Sequence, residues 1–124
     1  MKQIEKLKID YKSIIPVYEQ IKQHIKVSIL SGKISVDEKI TSVREMSRML
    51  QVNQNTIVKA YYQLEQEGFV YSQPGRGYFV KAVKNSGTSE KQEVFRYETK
   101  AYLEKITAMG FSVIDAITEM EKMK

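Results

Sequence analysis

The sequence predicts a mainly α-helical fold with one small β-hairpin (α+β), and three observations carry that prediction. Apolar residues recur at helical spacing in several segments, and Ser or Asn stands where some of these segments begin. After Gly68 the pattern changes to strand-forming residues on either side of a Pro-Gly pair. A chain of 124 residues with 42% hydrophobic residues can form one modest core and a small appendage.

The first helix is expected after Pro16, because a first helical turn tolerates proline. Its apolar side consists of Tyr18, Ile21, Ile25 and Ile29. Its other side is expected to be polar and consists of Glu19, Lys22, Gln23 and Lys26. This pattern is typical of an amphipathic helix, and Gly32 is its expected end.

The second helix is expected to begin at a capping box, since Ser42 precedes Glu45 by three residues. Its expected apolar face consists of Val43, Met46, Met49 and Leu50. A short connection then leads to Asn53, an expected N-cap for a third helix that stops at Gly68. The inward side of this third helix is predicted to contain Ile57, Ala60, Tyr61 and Leu64. Two short helices joined by a tight turn indicate a helix-turn-helix.

The segment after Gly68 predicts a two-stranded hairpin. Strand-forming aromatic and β-branched residues lie on both sides of the turn "QPGRG". Gly75 and Gly77 leave the tip of the hairpin without bulky side chains, and Arg76 lies between them. Three helices followed by a hairpin is the order of a winged helix-turn-helix.

The remainder of the chain predicts a linker and a helical hairpin. The predicted boundaries are residues 1–81 for the winged helix-turn-helix, 82–91 for the linker and 92–124 for the two-helix tail. In the tail, Gly110 ends one helix and Ser112, three residues before Asp115, begins the next.

The composition and the charge distribution of the chain exclude several classes of protein function. Residues 1–81 carry 13 Lys and Arg against 8 Asp and Glu, whereas residues 82–124 carry 7 of each, so a basic module is joined to a neutral one. There are no cysteines, one histidine and no Gly-x-x-x-x-Gly-Lys motif, and no acidic pair is placed for acid-base catalysis. We therefore expect no enzyme activity, no metal and no cofactor. No apolar run is long enough to span a membrane, so a cytoplasmic location is expected.

Three strings of the chain resemble the GntR family of bacterial transcription regulators. They are "PVYEQIKQHIKVSILSGKI", "TSVREMSRMLQVNQNTIVKAYYQLEQEGFV" and "SQPGRGYFV", within residues 15–80. The short tail narrows the resemblance to the YtrA-type members, which carry two C-terminal helices used for dimerisation. Roughly forty residues after the hairpin are too few for a larger effector-binding domain.

The resemblance and the chemistry of base edges together imply a DNA-binding surface. In the family pattern Arg44 reaches a base, Ser42 reaches a phosphate and the hairpin tip enters the minor groove, where an arginine suits the negative potential. The third helix would lie in the major groove, where amides can pair with adenine. The candidate DNA-binding residues are Ser42, Arg44, Asn53, Gln54, Asn55, Thr56, Lys59, Gly75, Arg76 and Gly77.

The chain also departs from the family pattern. Arginines that some branches carry are replaced here by Gln54 and Val58, so the base preference of those branches does not transfer. The usual Pro-Gly pair and the later Pro before the second helix are replaced by Val36, Asp37 and Thr41.

The tail is expected to pair two chains, because its apolar residues exceed what one short hairpin can bury. These residues are Phe95, Tyr102, Leu103, Ile106, Met109, Phe111, Ile114, Ile117 and Met120. A homodimer predicts a palindromic operator in double-stranded DNA, and repression is the expected outcome. The alternative is a winged-helix module that binds protein without DNA specificity. The sequence leaves open whether a small-molecule effector binds.

Overall fold

A computed structural model describes residues 7–82 and 88–124 of the chain. The described elements are α1 (Val17–Leu30), α2 (Val43–Leu50), α3 (Gln54–Gln66), β1 (Val70–Gln73), β2 (Gly77–Val80), α4 (Thr88–Ala108) and α5 (Val113–Lys122). The predicted mainly helical fold with one hairpin is confirmed. The chain divides into two compact units, Met1–Gly87 and Thr88–Lys124. Helix α4 thus begins within the predicted linker, and residues 83–87 of that linker lie outside the described residues.

The core of the first unit lies between α1, α3 and the hairpin. Its buried residues come from every element of that unit and from the loops that join them: Ile21, Ile25, Ile34, Ile40, Met46, Ile57, Ala60, Tyr61, Leu64, Phe69, Val70 and Val80. The four residues predicted to face inward from α3 are all fully buried. This core fixes α3 from behind and leaves its opposite face to solvent.

The prediction that Lys22, Gln23 and Lys26 form an outward polar face of α1 is wrong, because all three residues are buried. Lysines are rarely buried unless they are paired. Both amines bind the carboxylate of Glu67, which follows α3, and the Lys26 ammonium also lies 5.1 Å from the centre of the Phe69 ring. Helix α1 is therefore enclosed on its charged side as well as on its apolar side.

Helices α2 and α3 begin at the predicted caps. The Ser42 hydroxyl accepts a hydrogen bond from the Glu45 N–H at 3.1 Å, and the Asn53 side-chain oxygen accepts one from the Asn55 N–H at 2.7 Å. Gln51, with a left-handed φ of 55°, closes α2. One prediction for α2 is wrong, because Met49 is exposed and does not join the apolar face.

The hairpin pairs β1 with β2 in antiparallel register, with Tyr71 opposite Phe79. Residues 37–40 run alongside β2: the Asp37 N–H donates to the Val80 carbonyl and the Ile40 N–H to the Tyr78 carbonyl. Asp37 adopts a φ of 67°, in the left-handed region that favours glycine. It is the second residue of the pair Val36-Asp37, which replaces the Pro-Gly pair of the family pattern. Backbone hydrogen bonds to the hairpin thus hold a loop that lacks the family's prolines.

In the second unit, α4 and α5 pack against each other. Ser112 and Asp115 form the complete capping box at the start of α5, with hydrogen bonds of 2.8 and 3.1 Å. Gly110 follows α4, as predicted.

Candidate nucleic-acid interface

The first turn of α3 presents amide side chains to solvent. Gln54 and Asn55 are exposed, and Asn53 is exposed although its side-chain oxygen is engaged as the cap. Thr56 is half-buried. The N-terminal end of α3 therefore carries free amide donors and acceptors, the groups that can pair with adenine in a major groove.

The exposed face continues along α3 beyond the first turn. Lys59 is exposed, and its ammonium lies 4.0 Å from the centre of the Tyr18 ring of α1. Val58 and Tyr62 are exposed one and two turns after Gln54. Sequence reasoning missed Val58 as a functional candidate, although its spacing from Gln54 places it on the same face.

Helix α2 adds basic charge. Arg44 is exposed in its first turn, and Arg48 is exposed four residues later, which places the two guanidinium groups on one helix face. Arg48 is another residue that the sequence reasoning did not single out. The i, i+4 spacing from Arg44 is the signal that could have found it. The Ser42 hydroxyl caps the same helix end.

A buried hydrogen bond links α3 to the start of α2. The Tyr61 hydroxyl donates to the Thr41 carbonyl oxygen at 2.6 Å, and both residues are fully buried. Burial, together with the nearby Tyr78 and Glu45, raises the pKa of Tyr61 well above its ordinary value, so it remains a donor. This bond ties the inward face of α3 to the residue that precedes the cap of α2.

The hairpin tip is a tight turn in which the Arg76 N–H donates to the Gln73 carbonyl at 2.9 Å. Pro74 is followed by Gly75, whose φ is 75°, and this pair has the form of a type II turn. A Cβ on Gly75 would meet open space, whereas one on Gly77, whose φ is 118°, would lie 2.9 Å from the Lys39 side chain. Gly77 is thus required by its backbone conformation, whereas the flexible end of the Lys39 side chain could move aside for a Cβ.

Arg76 is exposed but not isolated. Its guanidinium carbon lies 5.6 Å from the centre of the Phe79 ring, which stacks on Tyr71 at 5.6 Å. The Tyr71 hydroxyl donates to the Asp37 carboxylate at 2.9 Å, and this bond raises the pKa of Tyr71. Together with Lys39 beside Gly77, these contacts place two cationic side chains at the hairpin. Sequence reasoning missed Lys39, because its approach depends on the fold.

Comparison with known proteins identifies the family. Residues 17–80 match the model described as "Bacterial regulatory proteins, gntR family". The chain belongs to the GntR family.

Several relatives agree with this assignment. The HTH-type transcriptional repressor YtrA of Bacillus subtilis is 40% identical over 74 residues, which span 60% of this GntR chain and 57% of that relative. YtrA from Sulfolobus acidocaldarius, a GntR-family transcription factor, is 37% identical with a TM-score of 0.61, over 77% of this chain and 97% of that one. AraR(DBD), solved in complex with operator ORE1, is 32% identical with a TM-score of 0.53, over 64% and 98%. The predicted resemblance to YtrA-type GntR members and the winged-helix fold are confirmed.

The GntR chain also has an ion-pair cluster at the C-terminal end of α3. The Lys22 ammonium lies 2.8 Å from the Glu67 carboxylate and 3.0 Å from that of Glu19, and Lys26 also pairs with Glu67. Burial lowers the pKa of Lys22, but its bonds to Glu67 and Glu19 outweigh burial and raise it. Burial raises the pKa of Glu67, but the two lysines outweigh it and lower that pKa. The cluster joins the C-terminal end of α3 to α1.

The tail residues singled out in the sequence divide into two groups. Leu103 and Ile106 are half-buried, whereas the others are exposed: Phe95, Tyr102, Met109, Phe111, Ile114, Ile117 and Met120. We call these seven side chains the tail apolar surface. Val113 and Met123, which the sequence reasoning did not include, are also exposed large hydrophobic residues in this unit.

Neither a metal-binding cluster nor a membrane-spanning helix occurs among the described residues. In residues 7–82 and 88–124 no group of three or more His, Cys, Asp or Glu side chains could hold a metal ion. None of the helices described here is both long enough and apolar enough to cross a membrane.

Proposed function

We propose that this chain is a sequence-specific DNA-binding transcription regulator, a repressor, that binds a palindromic operator in the cytoplasm as a homodimer. The observation that carries the proposal is the likeness to AraR(DBD), which was solved with operator DNA and matches over 98% of its length at 32% identity. A repressor role is supported by the name of the Bacillus subtilis relative, which the match covers in part.

Helix α3 has the properties that a helix needs to read the major groove. A recognition helix contacts base edges with its N-terminal residues, and here Gln54 and Asn55 are exposed in that first turn. A Gln or Asn amide can pair with adenine through two hydrogen bonds, and exposed Arg44 can pair in the same way with guanine. We therefore assign base contacts to these three residues, and phosphate contacts to Ser42, Thr56 and Lys59.

The hairpin tip is assigned to the minor groove. Because Gly75 has open space where a side chain would begin, its backbone can approach a sugar-phosphate wall. The Arg76 guanidinium lies over an aromatic ring, a contact that is weakly held at an exposed site. The side chain can exchange this contact for a narrow, negative groove at low cost.

The tail apolar surface is assigned to the dimer. Large contiguous apolar surfaces on a folded chain mark interaction sites, and seven large side chains are exposed within one two-helix unit. A second copy is the natural partner, because a twofold dimer sets two recognition helices about 34 Å apart, or a multiple of that spacing, on one face of the duplex.

The DNA assignment is tested by selecting duplexes from a random pool at low salt and measuring affinity for the selected site. Arg44→Ala should weaken binding by about 5- to 150-fold, the value of one good bidentate base contact. Arg76→Ala should weaken it less and reduce the salt dependence. Arg96→Ala, which removes an exposed arginine of α4, is the matched control and should bind normally. No binding to any duplex would overturn the proposal and favour the protein-interaction module.

The dimer is tested in the full chain with Ile114→Glu and Ile117→Glu, two residues of the tail apolar surface that are 73% and 54% exposed. Burying an unpaired carboxylate in an interface is costly, so both variants should sediment as monomers and bind the operator weakly. Thr118→Glu adds the same charge at an exposed polar position of α5 and should remain dimeric. A truncation that removes residues 92–124 should also be monomeric. If the variants and the truncation stay dimeric, the assignment of the tail is wrong.

A further inference from the structure

An apolar side chain lies on the face of α3 that carries the amides. Val58 is 45% exposed, one turn after the exposed Gln54, and the next residue on that face, Tyr62, is 57% exposed. Neither residue belongs to the core that holds α3 from behind, which uses Ile57 and Tyr61 instead. The solvent face of α3 therefore combines hydrogen-bonding and apolar groups.

The major groove offers one apolar group to such a face. Base edges there present hydrogen-bond donors and acceptors, except for the C5-methyl group of thymine. Valine has two methyl groups and no polar atom, so it can recognise a methyl group but cannot pair with a base. Because β-branched side chains adopt essentially one rotamer in a helix, the position of these methyl groups is fixed by the backbone.

We infer that Val58 contacts the C5-methyl group of a thymine and so determines part of the operator sequence; this inference rests on the proposed function. Gln54 lies four residues before Val58, which is about 6 Å along the helix axis, and successive base pairs are about 3.4 Å apart. The two side chains thus reach base pairs that are neighbours or next neighbours. Gln54 pairs with adenine and Val58 contacts a thymine methyl, so each half-site contains A·T pairs at these positions.

The test replaces thymine by deoxyuridine, which removes only the methyl group, at one position at a time in the selected duplex. Wild-type protein should lose about fourfold in affinity at one position of each half-site, the free energy of one buried methyl group. Other uracil substitutions should have little effect. Val58→Ala should bind the thymine duplex more weakly and should no longer distinguish it from the uracil duplex at that position. Alanine favours helix more than valine, so this variant is expected to fold.

Val36→Ala is the matched control, because Val36 is an exposed valine outside α2 and α3, and it should keep the wild-type sensitivity to uracil. Two failures are distinguishable. If the protein binds no duplex, the proposed function is wrong and this inference falls with it. If it binds a selected duplex tightly but no uracil substitution matters, or Val58→Ala remains as sensitive as wild type, only the thymine contact is overturned.

Discussion

The hydrogen bond between Tyr61 and Thr41 allows a sharp test of how α2 and α3 are held together. Tyr61→Phe removes one hydroxyl and keeps the ring, which packs edge-to-face on Tyr78 at 5.1 Å. The Thr41 carbonyl then loses its partner at 2.6 Å while remaining fully buried. The substitution therefore isolates the link between α3 and the residue before the cap of α2.

The expected loss follows from burial at both ends of the bond. An average hydrogen bond contributes about 1 kcal/mol net, but leaving a buried acceptor unsatisfied costs about 1–3 kcal/mol. We expect Tyr61→Phe to lower the free energy of unfolding by about 2 kcal/mol, within this range. For a unit of this size the melting temperature should fall by about 8–16 °C.

The measurement is chemical and thermal unfolding at one fixed protein concentration, since association shifts the apparent stability. Tyr62→Phe is the matched control: it removes a hydroxyl from the adjacent residue of α3, which is 57% exposed, and should change stability by less than about 0.5 kcal/mol. An unchanged denaturant slope would show that only stability changed. If Tyr61→Phe and Tyr62→Phe are equally stable, the bond does not hold the two helices and the reasoning is refuted.

Three further predictions concern other polar groups. The buried Thr41 hydroxyl has no hydrogen-bond partner among the described residues, so Thr41→Val should raise the free energy of unfolding by about 1 kcal/mol, measured by urea titration; a loss would mean that the hydroxyl is satisfied. The lysines lower the pKa of Glu67, so its contribution is present above the ordinary carboxyl pKa of 4.5 and is lost as the pH falls through the lower folded-state value. Glu67→Gln should therefore be less stable at neutral pH and lose less stability on acidification in an unfolding series; a curve parallel to wild type would contradict this. Ser112→Ala removes a capping box and should destabilise α5 by about 1 kcal/mol, seen as faster amide exchange in that helix; unchanged exchange would count against the cap.

The order of helices and hairpin could be predicted because its signals are local. Ser42 and Asn53 cap the helices that follow them, since each side chain accepts a hydrogen bond from a backbone N–H only two or three residues away. The buried face of α3 could also be predicted, because apolar residues at helical spacing lie on one side of a helix and that side packs on the core.

The remaining features depend on contacts between residues far apart in the chain. The burial of Lys22 requires Glu67, 45 residues later, and helical periodicity alone gave it a solvent position. The approach of Lys39 to Gly77 likewise follows from pairing along β2. For the candidate site, the amides and Arg44 were proposed from the sequence. The i, i+4 spacing places Val58 and Arg48 on the same helix faces as Gln54 and Arg44, but the exposure of those faces follows only from how the helices pack on the core.

The tail apolar surface has a consequence for dosage. If two monomers must meet before an operator is filled, then at low abundance occupancy grows with the square of the amount of protein synthesised. Halving expression would then quarter the pool of competent complexes, so a modest change in synthesis or turnover becomes a sharper transcriptional response without any signal molecule.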